Sequence, residues 1–301
     1  MRNLNNYLIA MFFTVGTTVT AQQLPQFTQY MYNTISVNPA YAGSRGTLNV
    51  TALHRNQWAG IEGNPKTSTL SIHAPLRNDR VGLGISYIND NLGFEQTNYV
   101  YGDFSYSVPV TAAAKLSFGL KAGFSNYVLE TPDSNDMFFN SSFNNWSPNF
   151  GAGLYISSNK WYAGISSPRI LNTDLNEGEF EALERNSYYA IGGLVFDLSE
   201  NTKFKPTMIA KFTNGAPATY DLTANFLFSE KFWIGASYRF NDASNFGALI
   251  DYQVSKDFRL GYAYDIPTGN IRPYTTGTHE VILIYELRLK SKGPYKSPRY
   301  F

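Results

Sequence analysis

From residue 81 onward, stretch after stretch places a bulky apolar side chain at every second position, with Gly, Ser, Ala or a charge between. Val81-Gly82-Leu83-Gly84-Ile85-Ser86-Tyr87 is the plainest case, and Leu116–Phe124 repeats it with its single charge, Lys121, on the small-residue phase. Tyr220–Phe226, Phe232–Phe240, Phe246–Val254 and Phe258–Tyr264 follow the same rule. A period of two belongs to a β-strand, whose successive side chains point to opposite faces. Extending the pattern gives about fourteen strands, near 47–54, 66–74, 80–89, 96–108, 114–128, 147–157, 160–167, 186–197, 202–213, 217–228, 231–241, 245–254, 257–265 and 278–288. An even number puts both ends of the sheet on one side.

The links between these strands differ by side. Those near 75–80, 109–113, 158–159, 198–201, 229–230 and 255–256 are short, while the opposite set contains the long segments 129–146, 168–185 and 266–277. Short turns on one rim and long loops on the other describe a transmembrane antiparallel β-barrel of an outer membrane, with periplasmic turns and extracellular loops. A soluble β-sandwich gives no reason for that asymmetry. Composition agrees: charged residues are 16% of the chain against roughly 25% in an average soluble domain, and aromatics are also 16%.

Charge placement is a second test of the same idea. Asp103, Lys121, Lys205, Lys211, Asp221, Arg239, Asp251 and Arg259 all fall on the phase opposite the bulky residues. In lipid, a Lys or Arg near the midplane costs roughly 2–4 kcal/mol, so the charged phase faces the lumen. Taking Glu230 and Ser255 as turn centres sets Asp221 beside Arg239 and Asp251 beside Arg259. These lumen charges read first as ion pairs bracing the wall, and second as a selectivity ring.

The chain divides into four parts. Residues 1–21 read as a signal peptide: Arg2 is the positive start, Tyr7–Val15 the apolar stretch and Val19-Thr20-Ala21 the cleavage site, far short of the ~20 apolar residues of a spanning helix. Residues 22–46 are rich in Gln, Asn, Tyr and Pro, with too many aromatics (Phe27, Tyr30, Tyr41) for a disordered leader. They are expected to pack at the periplasmic mouth or in the lumen, since fourteen strands enclose more space than wall side chains fill. The barrel occupies 47–289. The tail 290–301 is basic and broken by Pro294 and Pro298, and reads as a periplasmic extension, docking peptide or assembly signal.

Little suggests chemistry. The net charge of +1 makes no case for nucleic acid, and the absence of cysteine excludes a disulfide scaffold, a thiolate metal site and a lipoprotein anchor. The three histidines, His54, His73 and His279, lie far apart in sequence, although the first two bracket one outer hairpin. Asp133-Ser134-Asn135-Asp136 lacks the Gly and terminal Glu of a calcium loop. No enzyme, cofactor, metal or small-molecule substrate is expected.

Several segments together resemble the PorP/SprF family: Pro25–Asn33, Asn38–Ser44, His54–Gly63 followed by Pro65-Lys66-Thr67, then Phe204-Lys205-Pro206, Phe232–Arg239, Gly277–Glu280 and the closing Ser297–Phe301. The resemblance spans essentially the whole mature chain. It implies an integral outer-membrane barrel of the type IX secretion and gliding apparatus of Bacteroidota. The expected partners are components of that apparatus or one large secreted adhesin with a C-terminal sorting domain, with outer-membrane lipid around the wall. Candidate partner-binding residues are Phe27, Tyr30, Tyr41, Arg55 and Trp58 near the start, and Phe138, Phe139, Phe143 and Trp146 in one outer loop, where aromatic anchors suit an interface. The alternatives are a passive channel for small polar solutes and a purely structural gliding component.

Overall fold

The computed structural model describes residues 25–77, 79–130, 143–174, 183–240, 246–268, 270–288 and 300. Fourteen antiparallel strands form one sheet. They are β1 (Leu48–Asn56), β2 (Lys66–Pro75), β3 (Val81–Leu92), β4 (Glu95–Pro109), β5 (Ala114–Leu129), β6 (Phe143–Ser158), β7 (Trp161–Ser167), β8 (Ser187–Leu194, continued by Phe196–Asp197), β9 (Thr202–Thr213), β10 (Thr219–Phe228), β11 (Phe232–Phe240), β12 (Phe246–Gln253), β13 (Phe258–Ile266) and β14 (Thr278–Leu287). Each pairs with its sequence neighbours, and β1 pairs with β14 from Leu48↔Leu287 to Asn56↔His279. The sheet is therefore a closed barrel with no free edge. Between β7 and β8 a short hairpin pairs Thr173–Asp174 with Leu183–Glu184.

The two phases of the strands point where their chemistry requires. Leu120 is 62% exposed on the outer wall while its neighbour Lys121 is 3% exposed within. Asp103, Lys205, Lys211, Asp221, Arg239, Asp251 and Arg259 are likewise buried inward. Outward aromatics gather at both ends of the strands. At the turn-side rim Phe204 stacks on Phe196 and Phe226, and Phe232 on Tyr252. At the loop-side rim Phe212 meets Tyr220, and Tyr238 meets Phe240 and Phe246. Two such girdles flanking an aliphatic band mark the two membrane surfaces. Among the described residues no helix is long and apolar enough to cross a membrane.

Three details depart from the sequence reading. First, β6 begins at Phe143 rather than at 147, and β3 runs to Leu92 rather than to 89, while β4 and β5 fall within a residue of the expected 96–108 and 114–128 at each end. The added residues, Asp90-Asn91-Leu92 and Phe143-Asn144-Asn145-Trp146, are rich in poor strand formers. The strands instead continue above the membrane through an asparagine ladder: Asn89 Nδ2 donates to Asn98 Oδ1 at 2.8 Å, and Asn126 Nδ2 to Asn144 Oδ1 at 2.7 Å.

Second, the loop-side rim is not uniformly long. The β3–β4 link is only Gly93-Phe94, and 214–218 and 241–245 are also short; the length asymmetry rests on 57–65, 130–142, 168–186 and 267–277. Gly93 takes φ +59°, which the tight turn demands and L side chains resist.

Third, one of the two expected ion pairs is displaced. Asp221 sits opposite Arg239 and bonds it at 2.9 Å, because the β10–β11 turn centres on Glu230. The β12–β13 turn centres one residue later than Ser255, whose hydroxyl accepts the Asp257 N–H at 3.3 Å. Arg259 therefore faces Gln253, and Asp251 faces Gly261. The two histidines of the first hairpin also stay apart. His54 points outward and hydrogen-bonds Ser68, whereas His73 lies opposite Asn49, buried in the lumen toward the other rim.

Candidate functional site

The interior is the part of the molecule that its sequence builds with most care. The lumen holds the residues that precede β1, and they pass along its length. Gln26 lies level with the loop-side start of β10, where Thr219 Oγ1 donates to Gln26 Oε1 at 3.2 Å. Just below, the backbone N–H groups of Thr28 and Gln29 donate to the two oxygens of Glu280 at 3.0 and 2.7 Å. The Thr28 hydroxyl donates to Asp265 at 2.7 Å. Arg55 closes this group, 3.0 Å from Glu280 and 3.0 Å from Asp265. The clamp spans β13, β14 and β1, across the seam where the barrel shuts.

The middle of the segment is held from several strands. Tyr30 is hydrogen-bonded to Thr207 at 2.9 Å, Asn33 Nδ2 donates to Thr69 at 3.0 Å, and Ser166 Oγ donates to the Val37 carbonyl at 2.8 Å. Lys121 forms a salt bridge with Asp103 at 2.8 Å and also donates to the Ile35 carbonyl at 3.3 Å. The segment turns twice, at Thr34–Ser36 and at Pro39–Tyr41. Asn38 caps the second turn by accepting the Ala40 N–H at 3.0 Å, while its amide donates to the Leu154 carbonyl at 3.0 Å.

Here the small-residue phase of the wall acquires its meaning. A Cβ on Gly119 would sit 2.0 Å from the Ala40 nitrogen, and one on Gly82 would sit 2.1 Å from the Ala42 carbonyl oxygen. Only glycine lets two backbones meet that closely. At the turn-side end Ser105 donates to the Ala42 carbonyl at 2.6 Å, Gly43 N–H donates to His73 Nδ1 at 3.1 Å, Lys115 donates to the Ser44 carbonyl at 3.2 Å, and Arg45 pairs with Glu286. Tyr41 packs edge-on against His73 and Tyr155 at 5.3 and 5.5 Å.

The sequence candidates fall into three groups. Phe27, Tyr30, Tyr41 and Arg55 are all buried in the lumen, so as the chain stands they grip the barrel's own interior. Trp58 is half-buried in the first outer loop at φ +55°, with its backbone N–H donating to the Thr278 hydroxyl at 3.2 Å. That loop is bonded to the last one, Ala59 N–H to the Gly277 carbonyl and Thr276 N–H to the Ala59 carbonyl, both at 2.8 Å. It ties the rim over the closing seam.

Phe143 begins β6 half-buried. Trp146 is on the outward face of β6, 63% exposed and opposite Asn126 of the asparagine ladder. Phe138, Phe139, the Asp133–Asp136 segment and residues 290–299 lie outside the described residues. The lumen charges Lys121, Asp221, Arg239, Asp251 and Arg259 face inward. In the long loop after β7, Pro168 and Arg169 fold into the mouth, with Arg169 4.6 Å above the Tyr99 ring, while Ile170 and Leu171 remain exposed.

Sequence reasoning missed Asp265, Glu280, Glu286, Arg45 and Asn38. The first three sit on the inward phase of β13 and β14, which the alternation of Tyr262–Ile266 and Thr278–Leu287 could have revealed. Arg45 and Asn38 carry no periodic signal, since their segment has no regular structure.

A family model described as type IX secretion system membrane protein PorP/SprF matches residues 19–285. Comparison with curated protein sequences finds no match. Among solved structures, the CymD monoaromatic hydrocarbon channel is similar at 11% identity and a TM-score of 0.50, covering 85% of this chain and 91% of that one. Omp33, an outer membrane protein of Acinetobacter baumannii, is similar at 11% identity and a TM-score of 0.49, covering 80% of this chain and 98% of that one. A FadL homologue of Pseudomonas aeruginosa stands at 10% identity and a TM-score of 0.43, covering 80% and 89%. Identities this low speak to the barrel fold alone.

Proposed function

The chain belongs to the PorP/SprF family of type IX secretion system membrane proteins, and on that premise we propose that it is a non-enzymatic outer-membrane adaptor. It holds a secreted surface protein at its outer rim, or couples the membrane to periplasmic secretion and gliding components at its inner rim. The observation that carries this reading over a solute channel is the occupied lumen. Gln29, Ile35, Asn38 and Ala40 are 0% exposed inside the barrel, and the segment that contains them is bonded to the wall at both ends. A barrel filled in this way works through its rims.

Both rims offer surfaces suited to the role. At the outer rim the β3–β6 wall rises above the bilayer and Ile170 and Leu171 stand exposed. At the inner rim a crevice of about 300 Å³ opens between Tyr41, Arg45, Lys115 and the turn residues 111–114. Affinity purification of the tagged protein from detergent-solubilised native membranes tests the proposal. Co-recovery of secretion or gliding components, or of a large secreted protein with a sorting domain, is the expected result. Recovery of neither would contradict it.

A further inference from the structure

The last strand ends at Leu287 on the turn-side rim, yet Tyr300 lies back inside the barrel, packed against the lumen core. The twelve residues between span at most ~43 Å when extended, ample for a return through the mouth. Lys205 Nζ donates to the Tyr300 carbonyl at 2.5 Å, and Lys203 Nζ stands 5.3 Å from the centre of the Tyr300 ring. Lys205 is itself 0% exposed, with its ammonium 4.5 Å from the Tyr32 ring and 4.9 Å from the Trp233 ring. Directly across the strand pair from it, Asn225 is also 0% exposed, and neither polar atom of its amide has a hydrogen-bond partner among the described residues.

These groups make a site of a definite kind. A cation over an aromatic face and an ammonium on a peptide carbonyl recognise a ring and a backbone. They do not recognise the charges of a tail that carries Lys290, Lys292, Lys296 and Arg299, which two lysines repel. We infer that the turn-side half of the lumen is a binding site for a tyrosine-bearing peptide and that its resident ligand is the segment 290–301 of this chain, seated by Tyr300. The tail is thereby an intramolecular ligand on the periplasmic side of the lumen. This inference does not depend on the adaptor role.

The test uses the full-length chain in detergent. A fluorescein-labelled peptide of residues 290–301 is titrated with the Tyr300→Ala barrel, whose seat is vacated, and followed by anisotropy. Saturable binding is expected. It should be at least tenfold weaker to the wild-type barrel, at least tenfold weaker for a peptide carrying Tyr300→Ala, and weaker again when Lys203→Met is added to the receptor. No binding, or equal binding to both barrels or of both peptides, would overturn the inference. A second measurement needs no variant: carboxypeptidase should release the terminal residues of the folded wild-type protein at least tenfold more slowly than those of the heat-denatured protein, and equal rates would overturn it.

Discussion

Replacing Arg55 by leucine should unlatch the loop-side end of the lumen segment. The guanidinium is 2% exposed and bonds two carboxylates from different strands, Asp265 and Glu280, each at 3.0 Å. The same carboxylates accept the backbone of Thr28 and Gln29 and the Thr28 hydroxyl. Removing one partner of a buried ion pair costs about 3–5 kcal/mol, because the other partner stays buried and uncompensated. At about 1.4 kcal/mol per factor of ten, that is two to nearly four powers of ten in the seated-to-unseated ratio.

The assay is urea unfolding of the barrel in lipid vesicles, followed by tryptophan fluorescence. Arg55→Leu should lose about 3–5 kcal/mol. Arg55→Lys should fall between it and the native protein, since an ammonium lacks the planar fork that serves two carboxylates. The double variant Arg55→Leu/Glu280→Gln should be more stable than Arg55→Leu alone, because one orphaned buried charge is gone. A loss under about 1 kcal/mol for Arg55→Leu, or a double variant worse than the single, would refute the clamp.

Three further outcomes are expected. Gly119→Val should displace the Pro39–Tyr41 turn, since a Cβ there falls 2.0 Å from the Ala40 nitrogen; overpacking of this kind costs about 1–3 kcal/mol or more by the same unfolding assay. Leu120→Lys, on the lipid face, should cost about 2–4 kcal/mol, whereas Leu120→Phe should be near neutral. The chain has no cysteine, so single cysteines report position cleanly: Gln26→Cys should react with an impermeant maleimide on intact cells, and Ser44→Cys only after the outer membrane is permeabilised.

The wall was legible because its physics is periodic. Alternation of bulky and small residues gave the strand count and the inward phase of the charges from Asp103 to Arg259 that it singled out, and the turn at Glu230 was centred well enough to pair Asp221 with Arg239. The turn near Ser255 was not, because a shift of one residue at the centre moves the partner by two and nothing in Val254–Asp257 marks where the ladder stops. The loop-side ends of β3 and β6 failed for a related reason: above the bilayer, asparagine side chains bond each other across the strands and prolong a ladder that propensity would end.

The interior was only half legible. The aromatics of Pro25–Tyr41 announced a packed segment, but its anchors are set by closure of the barrel, which brings β13 and β14 beside β1. Arg55 and Glu280 are 225 residues apart in sequence, and no local pattern predicts their meeting. Trp146, read as part of an outer loop, lies on the barrel wall because β6 begins at Phe143, ahead of its apolar alternation.

Single-channel recording in planar bilayers tests the central claim most directly. The purified wild-type barrel should show no steady conductance, because residues 25–46 fill its lumen, while a variant lacking those residues should open a polar pore. A wild-type barrel that conducts steadily at porin-like levels, or a deletion variant that inserts and stays as closed as the wild type, would contradict the account.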